Sequence, residues 1–285
     1  MASWQYKVFS RFVAILPLKV KLHILFFRRF KRILNLKTSK TFNEKIQKKK
    51  VFDRNPQLTL LADKIESKKY VKRLVPDVYI PETIWSGTDV KELNFKDLPQ
   101  EYVFKANHTS QTLKIIRDGQ HLELNEMKRL TRNWLMHDQS ASMGEWAYKN
   151  IKRKVFIEEF LDFNGFVPDD YKFFVYHGKV RFIQLDTGRF VSHKRNMFDR
   201  NWDDLKFEYS HKRVLPPPPK PHFFEEMVNV AEKLSGDADF LRVDLYFYND
   251  KVTFSEITVY PGAGFEKFPT KDFDILFGKY WNQIY

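Results

Sequence analysis

The chain has no cysteine, which removes disulfides, thiolate metal sites and cysteine nucleophiles at once and fits a reducing compartment. Glycine is scarce, with 10 in 285 residues, and neither G-x-G-x-x-G nor G-x-x-x-x-G-K-[ST] occurs, so Rossmann and P-loop nucleotide sites have no support. No uninterrupted apolar run of the roughly 20 residues needed for a spanning helix is present. Repeats and low-complexity tracts are also missing. With 28 Phe and 16% aromatic residues, the composition is that of a chain that buries a large core.

Positive charge is what the sequence has in excess. The formal charge is +13, and much of it lies before residue 75, in "VKLHILFFRRFKRILNLK" (20–37), "KKK" (48–50) and "KKYVKR" (68–73). No zinc-finger, RNA-recognition or homeodomain pattern accompanies it, so no nucleic-acid partner is expected. Between Phe9 and Leu36 apolar residues alternate with Lys19, Lys21, Arg28, Arg29, Lys31 and Arg32. The broken apolar core and the lack of a small-residue cleavage site argue against a signal peptide. Two readings remain for residues 9–36: a basic amphipathic helix on an anionic membrane surface, or a helix docked on its own domain with a solvated basic edge.

Helical spacing is expected in 41–55 and in 58–75, the latter including Asp63 and Lys64, and again in 124–137. Alternation marks strands in 78–87, in 101–118 on both sides of a polar loop, and in 152–161. It also marks a hairpin over 171–190 turning at His177-Gly178 and a last hairpin, "LRVDLYFYNDKVTFSEITVY" (241–260), turning at Asn249-Asp250. A polyproline connector at 214–221 leads to a helix from about Phe223. The order gives an α+β fold of mixed and antiparallel sheets behind an N-terminal helical region, not a βαβ repeat. Four segments are expected: a basic leader (1–40), a helical region (41–100), a small subdomain (101–165) and a C-terminal subdomain (166–285).

The final hairpin points Arg242, Asp244 and Glu256 toward one region. An exposed polar face with cross-strand ion pairs would account for this. Set beside Lys64, Lys105, Glu158, Glu159 and Asp170, the same residues are what a magnesium triphosphate needs: hard oxygen ligands for the cation, Lys and Arg for phosphate.

"VFKANHTS", "VFIEEFL" and "RVDLYFYNDKVTFSEIT" resemble, in order, the phosphate-lysine strand, the adenine connector and the metal hairpin of ATP-grasp enzymes. "FNEKI", "LADK", "DYKFF", "HKRN" and "YPGAGFEKF" are similar to the teichuronopeptide-biosynthesis type of that superfamily, and the resemblance runs from about Thr41 to Phe268. It implies an ATP-grasp fold whose sheets sandwich a nucleotide. It further implies that Lys105, with Lys64 and Lys172, meets phosphate, that Glu158, Glu159, Phe160 and Leu161 hold adenine, and that Asp170 holds ribose. In the same way Asp244 and Glu256 would carry Mg2+, and Arg242 would stabilise the passing phosphoryl group.

Arg189, His193, Lys194 and Arg195 read as a basic lip over the triphosphate or an anionic acceptor, and Gly262 and Gly264 as a turn whose amides can meet a substrate carboxylate; a solvated loop and a strand-ending turn are the plainer readings. The sequence departs from most relatives in a glycine-free loop, "HTSQTL" (108–113), and in Thr258 two residues beyond Glu256, where Asn is common. The activity implied is an ATP- and Mg2+-dependent carboxylate–amine ligase joining a sugar acid, amino sugar or lipid-linked saccharide to an amino acid in bacterial surface-polysaccharide synthesis, cytoplasmic or peripheral at the inner membrane face. A sugar kinase on the same fold, a non-catalytic nucleotide-binding scaffold and, with less support, a glycosyltransferase are the rival readings.

Overall fold

The computed structural model describes residues 13, 15–110, 112–163, 165, 168–189 and 191–285. Phe9 and Phe12 of the expected leader, Gln111 of the polar loop and Phe190 at the end of the expected hairpin lie outside the described residues.

Among the described residues four helices open the fold: α1 (Leu18–Phe30), α2 (Phe42–Phe52), α3 (Gln57–Ala62) and α4 (Glu66–Leu74). α2 starts at a capping box, in which Thr41 accepts the Glu44 amide at 3.3 Å and the Glu44 carboxylate accepts the Thr41 amide at 3.1 Å. The single helix expected over 58–75 is two, and Lys64 is on neither. The Asp63 carboxylate draws off the Ile65 and Glu66 amides at 2.9 and 3.3 Å, and the Lys64 amide turns to the Asn107 carbonyl at 3.1 Å. Side-chain capture of amides that would otherwise continue the helical ladder ends α3 there.

Strands β1 (Thr83–Gly87), β2 (Tyr102–Ala106), β3 (Leu113–Ile116) and β4 (Val155–Glu159) make a four-stranded antiparallel sheet in the order β1-β4-β2-β3. α5 (Leu124–Met136) and α6 (Gln139–Met143) lie between β3 and β4 in the chain. Period-two alternation sends Tyr102, Phe104, Val155 and Ile157 into a cluster with Met127 and Leu130 of α5, which leaves Lys105 and Glu158 on the other face.

The second sheet has five antiparallel strands, β5 (Asp170–Tyr176), β6 (Lys179–Thr187), β7 (Lys194–Asp199), β8 (Phe240–Tyr248) and β9 (Lys251–Thr258), in the order β7-β6-β5-β8-β9. The tight turns fall where expected, with His177 and Gly178 at φ 47° and 75° and Asn249 and Asp250 at 49° and 57°. One face is mainly apolar: Phe173, Val243, Leu245 and Ile183 pack against α7 (Phe224–Ser235) through Phe224, Met227 and Ala231. The opposite face is divided. Its one half carries Phe174, Tyr176, Phe182 and Phe240 against Phe42 of α2, Phe277 of α8 (Lys271–Lys279) and Trp281, with ring centroids as close as 3.9 Å. The other half is charged.

α8 crosses the start of α2 at Gly278. A Cβ there would stand 2.3 Å from the Lys40 carbonyl oxygen and 2.9 Å from the Phe42 nitrogen, both main chain. We therefore expect Gly278→Ala to cost about 1–3 kcal/mol of stability, as overpacking does, read as a fall in the urea unfolding midpoint at unchanged slope.

Candidate functional site

The charged half-face is set by strand register. Lys172 stands opposite Asp244 and Gln184, Asp170 opposite Asp186, and Asp244 opposite Glu256, while Arg242 pairs with Thr258 and Arg195 with Asp186. Two neighbouring rows, Glu256–Asp244–Lys172–Gln184 and Asp170–Asp186–Arg195, thus form one charged band that runs across all five strands from β9 to β7.

Every carboxylate in the band is engaged. Asp244, with no exposed surface, accepts two bonds from the Arg242 guanidinium at 2.8 and 2.7 Å and one from Lys172 Nζ at 3.0 Å. Lys172 also bonds Asp170, which receives Arg189 at 2.7 Å. Asp170 Oδ1 and Gln184 Oε1 are buried acceptors without a hydrogen-bond partner among the described residues. Burial outweighs these cations and, with Asp244 nearby, raises the Asp170 pKa. Glu256 is the open member, its side chain 36% exposed, and it accepts Lys64 Nζ at 2.6 Å. Burial opposes its ionisation, but Lys64, Lys172 and Arg242 prevail and hold its pKa well below the carboxylate range.

The small sheet contributes a second cluster. Lys105 and Lys68 of α4 close on the two oxygens of Glu158, Lys68 at 2.7 Å, and Lys68 also donates to the Pro81 carbonyl at 2.6 Å. Desolvation would raise the Glu158 pKa, yet Lys105 and Lys68 keep it low. Lys64 joins the two clusters: burial would lower its pKa, but Glu256 first and then Glu158 and Asp244 raise it.

Other expected residues are more dispersed. Glu159 alternates away from Glu158 and accepts the Tyr79 hydroxyl at 2.5 Å and the Glu82 amide at 3.0 Å. Phe160 lies under Arg117 at 4.6 Å, and Leu161 follows half-buried. Arg195 closes the far end of the band, bonding Asp186 at 2.6 Å and Glu266 at 2.5 Å. His193 lies 3.2 Å from Asp186 and 3.7 Å ring to ring from His211. Lys194 is exposed and, next to Arg195 on its strand, points away from the band. Gly262, Ala263 and Gly264 all have left-handed φ, 54°, 52° and 65°. Gln47 and Lys50 of α2 hold the carbonyls of that turn at 2.7–3.1 Å, and Asn43 holds the Glu266 carbonyl at 3.0 Å.

Sequence reasoning passed over Lys68, Asn107, Gln184, Asp186, His211 and Glu266. Gln184 and Asp186 had a signal, since they alternate with Ile183 and Leu185 on a strand opposite Lys172 and Asp170. Asn107 had none, as only tertiary contact brings it to Asp63 at 3.0 Å and to Lys154 at 2.8 Å.

Two antiparallel sheets, each turning a charged face toward the same lysine, define an α+β protein. The family model described as TupA-like ATPgrasp matches residues 44–282, and the chain belongs to that family. No curated protein matches it. Among solved structures, the D-alanine–D-alanine ligase from Bacillus anthracis is 21% identical over 72% of this chain and 59% of its own, with a TM-score of 0.46. The D-alanine–D-alanine ligase from Helicobacter pylori is 14% identical over 79% and 62%, at 0.43. The N5-carboxyaminoimidazole synthetase from Staphylococcus aureus, complexed with ADP, is 14% identical over 70% and 44%, at 0.41. These are remote likenesses, and the chain spans less than two thirds of each of the three.

Because Lys172 neutralises two buried aspartates, Lys172→Met should cost roughly 3–5 kcal/mol in chemical unfolding. Glu158 has a folded pKa below its usual value of 4.5, so its contribution is complete above that pH and is lost as pH falls through the folded value. Stability measured down through pH 4.5 should therefore fall less steeply in Glu158→Gln than in the wild type.

Proposed function

We propose that the chain is an ATP-dependent carboxylate–amine ligase. The observation that carries this is the facing pair Asp244 and Glu256, in one band with Arg242 and within reach of Lys64. Family membership supports the same reading.

The donor set fits a magnesium ion. Asp244 and Glu256 supply hard oxygens from adjacent strands; Glu256 is open to solvent, and Asp244 would take the ion in exchange for a bond now made by Arg242 or Lys172. Among the described residues no three or more His, Cys, Asp or Glu gather as a metal cluster. Two protein carboxylates with the remaining positions left to phosphate and water is the pattern Mg2+ prefers, whereas an all-protein cage is what it avoids. When bound, the ion neutralises charge on the phosphates. Thr258 donates no amide oxygen and instead accepts Arg242 at 3.1 Å, so its hydroxyl orients the guanidinium.

In the proposed reaction a substrate carboxylate oxygen attacks the γ-phosphorus of ATP, and the P–O bond to ADP breaks. An amine then attacks the carbonyl carbon of the acylphosphate, the C–O bond to phosphate breaks, and the amine loses its proton. Arg242 and Lys105 stabilise charge on the transferred group, Lys64 meets phosphate oxygens once released from Glu256, and Lys172 adds positive charge toward them from between its aspartates. The strand end Glu158 to Leu161 lines the adenine with its main chain, Glu159 turning its side chain to Tyr79, and Asp170 Oδ1, without a partner among the described residues, accepts from ribose. Arg189, His193, Arg195 and the turn at Gly262 and Gly264 receive the acceptor, with Lys194 at its outer edge. We take 101–165 and 166–285 as the two halves of the nucleotide site. The substrates proposed are a sugar acid, amino sugar or lipid-linked saccharide and an amino acid in surface-polysaccharide assembly. The place proposed is the cytoplasmic side of the membrane.

Glu256→Gln and Asp244→Asn should each lower ADP release at least about a hundredfold, and Glu256→Gln should do so with a near wild-type melting curve. Release should require both an acid and an amine. Wild-type turnover in both variants would refute the assignment, and ADP release with a hydroxylated sugar alone would replace ligase by kinase.

A further inference from the structure

Away from the charged band, α1 and α6 border a cleft of about 360 Å³ that the proposed ligase chemistry does not use. Its polar wall is Lys21, Arg54, Lys149, Ser140 and the Trp146 indole, and no carboxylate lines it. Leu16 and Leu18 supply the apolar side.

Among the described residues these cations lack counter-charges. Lys21 is 5% exposed, and its ammonium donates to the Ala141 carbonyl at 2.9 Å, its one partner among those residues. Arg54 donates to the carbonyls of Lys50, Val51 and Asp53 at 2.8–3.0 Å and lies 5.3 Å above Trp146. Neither has a carboxylate partner among the described residues, and Lys149 is exposed at the rim. A buried ammonium satisfied by one carbonyl gains from any anion that enters. The larger groove beside α4 differs in this respect: Lys68 there is bound to Glu158, Lys69 to Glu66, and Glu82 is part of the lining.

A second, independent feature borders the cleft. The outward edge of α1 and its flanks exposes Ile15 (80%), Val20 (46%), Phe27 (55%) and Ile33 (79%), with Lys19, Lys31 and Lys37 exposed among them. This is not a loosely placed helix. Leu22 and Phe26 are buried on its inner side, Arg29 donates to the Phe265 carbonyl at 2.7 Å and Arg32 to Asp274 at 2.5 Å. The first acidic residue of the whole chain is Glu44. A rigidly docked element that turns large apolar side chains outward among cations, with no acidic residue in its own segment, is built for an interface that is apolar inside and negative at its surface.

We propose that the cleft between α1 and α6 binds the phosphate of an anionic membrane lipid while Ile15, Val20, Phe27 and Ile33 enter the bilayer surface. The phosphate sits among Lys21, Arg54 and Lys149, and the acyl chain leaves past Leu16 and Leu18. Because Arg29 and Phe26 link α1 to the turn at Gly262 and Gly264 through Phe265, the membrane lies on the acceptor side of the charged band. That last step rests on the ligase reading; lipid binding itself does not.

The test is sedimentation of the full chain with phosphatidylcholine vesicles, with and without phosphatidylglycerol. Binding is expected only with the anionic lipid. Phe27→Asp and Lys149→Glu, both at exposed positions, should each weaken it about tenfold or more at unchanged melting temperature. Lys72→Glu, in the groove beside α4, should not. Glu256→Gln should sediment like the wild type, which separates this idea from the chemistry. Equal loss in Lys72→Glu would mean nonspecific charge, and binding to pure phosphatidylcholine or full retention in Phe27→Asp would overturn the proposal. Inorganic phosphate that displaces the protein from vesicles would reassign the cleft to a soluble anion.

Discussion

The charged half of the five-stranded sheet stands on one ammonium group. Lys172 lies between Asp170 and Asp244, on the central strand of the band, and without it two aspartates would be buried with their negative charges side by side. Taking such charges out of water costs several kcal/mol each, and only close, hydrogen-bonded partners offset it. The neighbours follow from that constraint. Arg242 must chelate Asp244, Arg189 must reach Asp170, and Arg195 must hold Asp186, because each aspartate is too enclosed to be solvated. Only Glu256, with open surface, is left to a lysine that hangs from a helix break.

α2 reconciles this charged half with the aromatic half beside it. Phe42, at its start, enters the ring cluster with Phe174, Phe240, Phe277 and Trp281 and closes the apolar part of the face. Asn43, Gln47 and Lys50, about a turn apart, take up the carbonyls of a main chain bent through three left-handed residues. Lys50 has no exposed surface, and burial brings its pKa down to about 8 despite Glu145 nearby. A segment rich in lysine is therefore one of the most enclosed in the protein. The charges of Lys45, Lys49 and Lys50 are spent on carbonyls and on Asp53 and Asp239, not on solvent.

This explains what the sequence could and could not reveal. Hairpins are legible because alternation and turn residues are local: Asn249-Asp250 and His177-Gly178 take the positive φ that their types tolerate. The grouping of Arg242, Asp244 and Glu256 is legible for the same reason, being a consequence of pairing within one hairpin. Lys64 was misplaced onto a helix because the apolar spacing of 58–75 continues through it, while the Asp63 carboxylate takes the next two amides and Asn107 fixes the break from outside. Lys68 is hidden in a run of basic residues that reads as a solvated face, although its ammonium is enclosed by Glu158 and the Pro81 carbonyl. The lone charges at 189–195 could not be ranked without strand register, which turns Arg195 inward and Lys194 outward.

The break between α3 and α4 has a mechanical side. By its main chain Lys64 is fastened to Asn107, and Asn107 in turn is stitched to Lys152 and Lys154 at the entry to β4, all part of the small sheet. By its side chain the same residue is fastened to Glu256 of the large sheet. A residue anchored this way is a strut, and its length sets how far apart the two layers can stand while the ion pair persists. Widening the gap must stretch that bond before any other described between Lys64 and the large sheet.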